Sequence, residues 1–248
     1  ALRRDEAVVA RCAATPAVPL TSGRLTAADN EARQMPPNEF CDEVTMPSAD
    51  LTQPFLRLKQ PLADLDAWVA CFREAEIPVR AETAAALEAM RQNEDDVDAN
   101  LIGEMISGDP LMTLKVMAFA AKHRSARLVT APETVTSTLV MMGISPFFRA
   151  FGPQTVLEDV LQDPPEALVG LSEVLRRANR AANFALSFAV HRLDPDAAVI
   201  HQAALLHDFA ELLLWCHAPD LALSIRAAQV ACTQLPDTPT PKMSRRTC

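Results

Sequence analysis

The stretch AAVIHQAALLHDFAELLLW, residues 197–215, decides the fold class. Its apolar residues Val199, Ala203, Leu206, Ala210 and Leu213 recur at spacings of three and four, the pattern of an amphipathic helix. Leu205, Leu212 and Leu214 widen that stripe until most of the circumference is apolar. The periodicity predicts one continuous helix, buried on several sides at the centre of a helical domain. The same stretch carries His201, His207, Asp208 and Glu211. A His-Asp doublet in such a helix must be hydrogen-bonded, ion-paired or bound to a metal, because an unpaired buried charge is very costly.

On either side of this segment, proline and its neighbours mark boundaries. Asp194-Pro195 restarts the chain before it, and Ala218-Pro219-Asp220 ends it, with a last helix expected over about 221–231. Upstream, a long helix is predicted over about 166–192. Its alanines at 178, 181, 182, 185 and 189 allow a neighbouring helix to approach closely. Asp163-Pro164-Pro165 is the clearest internal boundary. Before it, caps and breakers divide the chain into short helices. Asp64 caps a helix to about residue 75 with Leu65, Trp68, Val69 and Phe72 inward. Others follow over about 82–92 and 97–107. Asp109-Pro110 opens a fourth, residues 111–123, burying Leu111, Leu114, Met117, Ala118 and Ala121. Arg124 to Ala131 is expected to be a loop, and Gly143 ends the next helix as a C-cap. Shorter helices are expected over 147–151 and 154–162. No stretch has the pattern of a strand.

Composition agrees. Hydrophobic residues make up 49% of the 248, only 5% are aromatic, and there are 6 glycines and no tyrosine, which favours helices over sheets. A net charge of −9 makes a broad nucleic-acid-binding surface an unsuitable reading. The six cysteines, at 12, 41, 71, 216, 232 and 248, include no CxxC pair. They fit neither a zinc site nor a disulfide framework, and a reducing, cytoplasmic setting is expected. No run of about 18 apolar residues free of charge is present, so no transmembrane helix and no membrane association is expected, and residues 1–50 contain no signal-peptide core. Those residues, broken by Pro16, Pro19, Pro36, Pro37 and Pro47, read as a disordered arm, with Met46 a candidate start of the compact protein.

Two motifs then carry a resemblance. Ile106-Ser107-Gly108-Asp109-Pro110 is followed by Leu114-Lys115-Val116-Met117-Ala118, and later comes Ala204-Leu205-Leu206-His207-Asp208-Phe209-Ala210-Glu211-Leu212. In this order and spacing they resemble the HDOD domain, a relative of the HD metal-dependent phosphohydrolases found in bacterial signalling proteins. The resemblance spans about residues 77–231. In the HD superfamily an early His, the His-Asp pair and a later Asp bind divalent metal. Only His207 and Asp208 match that set. Where the early His belongs, the chain reads Arg176-Arg177-Ala178-Asn179-Arg180. The family's Gly-Lys after the doublet is Ala210-Glu211, which exchanges a cation for an anion, and Asp220 follows too closely to serve as the distal Asp.

The other polar residues have plain readings. His201 and His207, six apart, diverge around a helix axis. His123 beside Lys122 and Arg124 suits a helix C-terminus. Arg176, Arg177 and Arg180 with Glu173 form an exposed helix face, with an anion site opposite the doublet as the sharper alternative. Glu94-Asp95-Asp96-Asp98 lacks the order of an EF-hand and reads as a polar turn and cap. Met105, Met112, Met117, Met141 and Met142 fill the core or form an adaptable binding surface.

The expected architecture is therefore an all-α, multi-helix, HD-related bundle of two packed halves, residues 51–163 and 164–232, with a frayed tail at 233–248. The expected function is a non-catalytic, cytoplasmic signalling domain that binds a protein partner or small ligand in the groove between the halves. It has no catalytic residue, cofactor or metal, and His207-Asp208 is a hydrogen-bonded pair in the core. The alternative is a phosphohydrolase acting on a nucleotide or cyclic dinucleotide, with His207 and Asp208 holding a divalent metal such as Mn, Fe or Ni. A redox sensor built on the six cysteines is a third reading. The oligomeric state is left open.

Overall fold

The computed structural model describes residues 55–123 and 132–233. The expected arm at 1–50, the loop at 124–131 and residues 234–248 of the expected tail lie outside them. The described chain is helical: α1 (Leu65–Glu74), α2 (Ala81–Gln92), α3 (Ala99–Ser107), α4 (Pro110–Lys122), α5 (Val135–Met142), α6 (Ile144–Ala150), α7 (Leu157–Val160), α8 (Pro165–His191), α9 (Ala197–Leu205), α10 (Phe209–His217) and α11 (Pro219–Thr233). The described residues form no sheet, only an isolated parallel bridge between Val79 and Val156.

Local chemistry sets the helix ends. Asp64 and Asp98 each accept a backbone N–H three residues on, at 2.8 Å, satisfying donors that a helix start leaves open. Thr134 and Ser137 form a reciprocal capping box on α5. Gly143, at φ 85°, takes the left-handed conformation that ends α5 and begins α6. The acidic run at Glu94–Asp96 is a single 3-10 turn leading into the Asp98 cap, as its reading as a polar turn required.

The buried apolar residues gather in two hydrophobic cores, and the second draws Ile77, Leu111, Leu157 and Leu161 from the expected first half. The first gathers Val79, Leu87, Ile102, Ile106, Met112, Val116, Leu139 and Phe147 from α2 to α6 and the chain preceding α2. The second gathers Leu157, Leu161, Leu171, Leu175, Leu212, Trp215 and Cys216 from α7, α8 and α10 with their adjoining turns. Helix α4 joins them: Leu111 packs into the second core, while Met112 and Val116 pack into the first. Because its first turns are enclosed on both sides, α4 buries Leu111, Met112, Thr113, Val116 and Ala120. The expected face of Leu114, Met117, Ala118 and Ala121 is thus displaced around the axis. The expected inner face of α1 is also corrected: Leu65 is 75% exposed, and α1 buries no residue fully.

The largest correction concerns residues 197–215. They form two helices, α9 and α10, divided by a turn at Leu206-His207-Asp208. Helix α9 lies along α8, whose Ala178, Ala182 and Ala189 are buried. Helix α10 instead drives Leu212, Leu213, Trp215, Cys216 and His217 into the second core. Trp215 rests so tightly on Gly170 of α8 that a Cβ there would meet its ring at 2.3 Å. By length and composition residues 197–217, mean hydropathy 1.3, reach what a membrane crossing requires. The turn divides them, and Asp208 and Glu211 are ion-paired to α8.

Candidate functional site

His207 and Asp208 occupy the α9–α10 turn, so the doublet is at the surface rather than in the core. The His207 side chain is 83% exposed and that of Asp208 28%. Their mutual hydrogen bond exists: His207 Nδ1 lies 3.0 Å from Asp208 Oδ1. A carboxylate only accepts, so Nδ1 carries the proton.

Arg177 of α8 closes the site. Its Nε donates to Asp208 Oδ2 at 3.0 Å, and its Nη2 donates to Glu211 Oε2 at 2.5 Å. One guanidinium therefore spans both carboxylates, which suits its planar array of donors. Glu211 also accepts a long contact from Trp215 Nε1, at 3.5 Å. The hydrogen bond with His207 is the largest influence on Asp208 and holds its carboxyl below the usual range; partial burial opposes it and Arg177 adds to it. Partial burial works against the charge of Arg177, but the bonds to Asp208 and Glu211 raise its pKa on balance. One turn earlier on α8, Glu173 accepts from Arg226 of α11 at 2.5 Å. A short charged ladder thus runs along one flank of α8, at the four-residue spacing that keeps side chains on one face.

The donor set does not fit the divalent-metal site implied by the resemblance. His207 and Asp208 hold two of its positions, and a permanently charged guanidinium already lies against Asp208. Among the described residues no three His, Cys, Asp or Glu side chains are grouped as ligands for an ion. His201, in α9, is partly buried, and burial lowers its pKa; His191 lies in the last turn of α8. His123 caps α4, its Nδ1 3.0 Å from the Phe119 carbonyl oxygen, in keeping with its expected place at a helix end. The Cys216 thiol is fully buried and its pKa is pushed far up by that burial, which removes it as a nucleophile.

Several side chains organise the site's surroundings through contacts that the sequence reading did not describe. Asp109, from the Ser-Gly-Asp-Pro motif, is 1% exposed. It caps α4 through the Leu111 and Met112 N–H groups and accepts from Thr83 Oγ1 at 2.6 Å, tying α2 to α4. Lys115, its side chain 16% exposed, reaches Glu76 at 2.5 Å and Gln154 at 2.7 Å. Burial pulls its pKa down against the pull of Glu76. Gln202, on α9, accepts from the Val135 N–H at 2.8 Å and donates to the Glu133 carbonyl at 3.0 Å, joining α9 to the start of α5. A polar residue inside an apolar stretch is the signal that marks Gln202. For Arg177 the signal is its place among three arginines where the family has a histidine.

The family model of the HDOD domain matches residues 77–239, more than half of the chain. The chain belongs to the HDOD family. The crystal structure of the MmoQ response regulator from Methylococcus capsulatus strain Bath is similar over 62% of this chain and 60% of that one, with 19% identity and a TM-score of 0.47. The present chain thus spans less than two thirds of that protein. No curated protein matched the sequence.

Proposed function

We propose that this HDOD domain is a non-catalytic regulatory module of bacterial cytoplasmic signalling, acting by binding a protein partner or small ligand. The observation that carries the reading is the Arg177 guanidinium seated on both Asp208 and Glu211. A divalent ion at the doublet would have to displace that cation and recruit further ligands, and the neighbouring Glu211 is already engaged. The polar turn is then a structural tie between α8 and α10, and the contact surface is the groove between the halves.

The test is elemental analysis of the full chain, purified without chelator and without a metal-affinity tag, beside its His207→Ala variant. Less than about a tenth of an equivalent of Mn, Fe, Ni or Zn is expected, since structural sites with fewer than three protein ligands hold ions poorly. Near one equivalent, lost in the variant, would overturn the proposal. It would favour a phosphohydrolase for a nucleotide or cyclic dinucleotide, with His207 and Asp208 as metal ligands.

A further inference from the structure

His217 closes α10, and its side chain is completely buried. Residues 55–58 cross it and are tied to it from three directions. The His217 Nδ1 donates to the Leu56 carbonyl at 3.0 Å, and the Leu58 N–H donates to the His217 carbonyl at 2.7 Å. The Phe55 ring stacks on the imidazole at 4.8 Å with only 10° between planes. Arg57 adds an outer tether, donating to the Asp163 carbonyl at 2.5 Å. These residues and α1 precede the family's matched span, which begins at Ile77.

The imidazole's other nitrogen, Nε2, is buried and meets no group with hydrogen-bonding geometry. With Nδ1 donating, Nε2 is an unprotonated lone pair in an enclosed, aromatic pocket, which is tolerable. A proton added there would place a charge in the same pocket, where the burial penalty outweighs the relief from the Glu76 carbonyl and carboxylate. The charged groups around it offer little relief. Glu76, following α1, is paired with Lys115 of α4; Glu74 is paired with Lys122. Arg57 is turned to Asp163, and Lys59, Arg73 and, on α11, Asp220 are exposed.

We propose that residues 55–58 form a strap held on α10 by neutral His217 and released when that imidazole is protonated. The direction follows from linkage. Burial depresses the folded-state pKa of His217, while the Leu56 and Glu76 carbonyls and the Glu76 charge oppose it. The open form, with an ordinary pKa of about 6.5, binds the proton first, so closure weakens as pH falls below about 6.5 and levels off below the closed-state value. Release exposes Phe55 and the end of α10.

Backbone hydrogen exchange of the full chain, corrected for intrinsic rate, reads the strap at the Leu58 amide. Protection is expected at about pH 7.5 and is expected to fall by about tenfold for each unit of pKa depression on going toward pH 5. His217→Asn keeps a donor near the Nδ1 position but cannot titrate, so its strap protection should be independent of pH over that range. Flat protection in the wild-type chain, or the same fall in H217N, overturns the proposal. Should H217N not fold, NMR titration of wild-type His217 decides: an apparent pKa clearly below about 6.5 supports it, and one at or above that value overturns it.

Discussion

Replacing Asp109 by alanine tests what holds α2 against α4. The carboxylate is 1% exposed and accepts from the Leu111 N–H at 2.9 Å, the Met112 N–H at 3.3 Å and the Thr83 hydroxyl at 2.6 Å. Asp109→Ala removes an N-cap, about 1 kcal/mol. It also strands the buried Thr83 hydroxyl, 6% exposed, at a cost of about 1–3 kcal/mol. The expected total is about 2–4 kcal/mol, a large share of the roughly 5–15 kcal/mol available to a domain. With an m-value of about 2 kcal/mol/M, the urea midpoint should fall by about 1–2 M at unchanged slope. Asp109→Asn keeps a capping oxygen and should lose less than half as much, while Thr83→Val, which leaves the cap intact, should lose about 1 kcal/mol. The double variant D109A/T83V should be less damaged than the sum of its parts, because the stranded hydroxyl is gone. A midpoint within about 0.3 M of wild type for D109A would refute the reasoning that this carboxylate is a shared anchor of α2 and α4.

Other substitutions probe the remaining joints. Gly170→Ala puts a Cβ 2.3 Å from the Trp215 ring, itself 3% exposed and unable to step aside. Overpacking should outweigh the helix-propensity gain and cost about 1–3 kcal/mol in urea unfolding, so a stabilised variant would contradict the packing described. Gln202→Ala strands the buried Val135 N–H and should cost about 1–3 kcal/mol, with faster hydrogen exchange at the start of α5; exchange unchanged there would remove the bridge. Arg177→Ala should cost less than about 1 kcal/mol, since its side chain is 47% exposed and exposed ion pairs contribute little. Because Asp208 is held low in the folded chain, its pairing adds stability above an unfolded pKa of about 3.9 that is lost as pH falls through the folded value. In R177A the Asp208 carboxyl, followed by NMR, should titrate at higher pH than in the wild type; an unmoved titration would mean that the ion pair does not form in solution.

Short-range chemistry made most of the helix boundaries legible. Asp64 and Gly143 sit at the helix ends the sequence marks, Asp98 caps the helix after the acidic turn, and the Thr134 cap went unread. The 27-residue α8 begins and ends within one residue of the span its pattern predicts. The turn at 206–208 was not legible, because no glycine or proline interrupts the stretch and the three-and-four spacing runs straight through it. That break is a tertiary choice. Helix α9 follows the alanine face of α8, while α10 must swing to place Trp215 on Gly170 and Leu212 in the second core. Leu65 and Val69 show the converse error: a helical apolar spacing on α1 with little left to pack against, so both remain exposed.

The same break changes the physical problem posed by the doublet. In a continuous buried helix, His207 and Asp208 would need a metal or a compensating network to repay their desolvation. At the turn His207 reaches water, and Asp208 needs only the imidazole beside it and the cation across from it. The resemblance placed an arginine cluster where the HD superfamily has its early histidine, but not which arginine meets the doublet. Of Arg176, Arg177 and Arg180, Arg177 is the one paired with Asp208 and Glu211, four residues beyond Glu173 and its bond to α11. A histidine ligand at such a position would leave two carboxylates to be neutralised by an imported ion. An arginine brings its own charge, fixed to the backbone and independent of pH in the working range. The tie between α8 and α10 therefore keeps its cation across the working pH range.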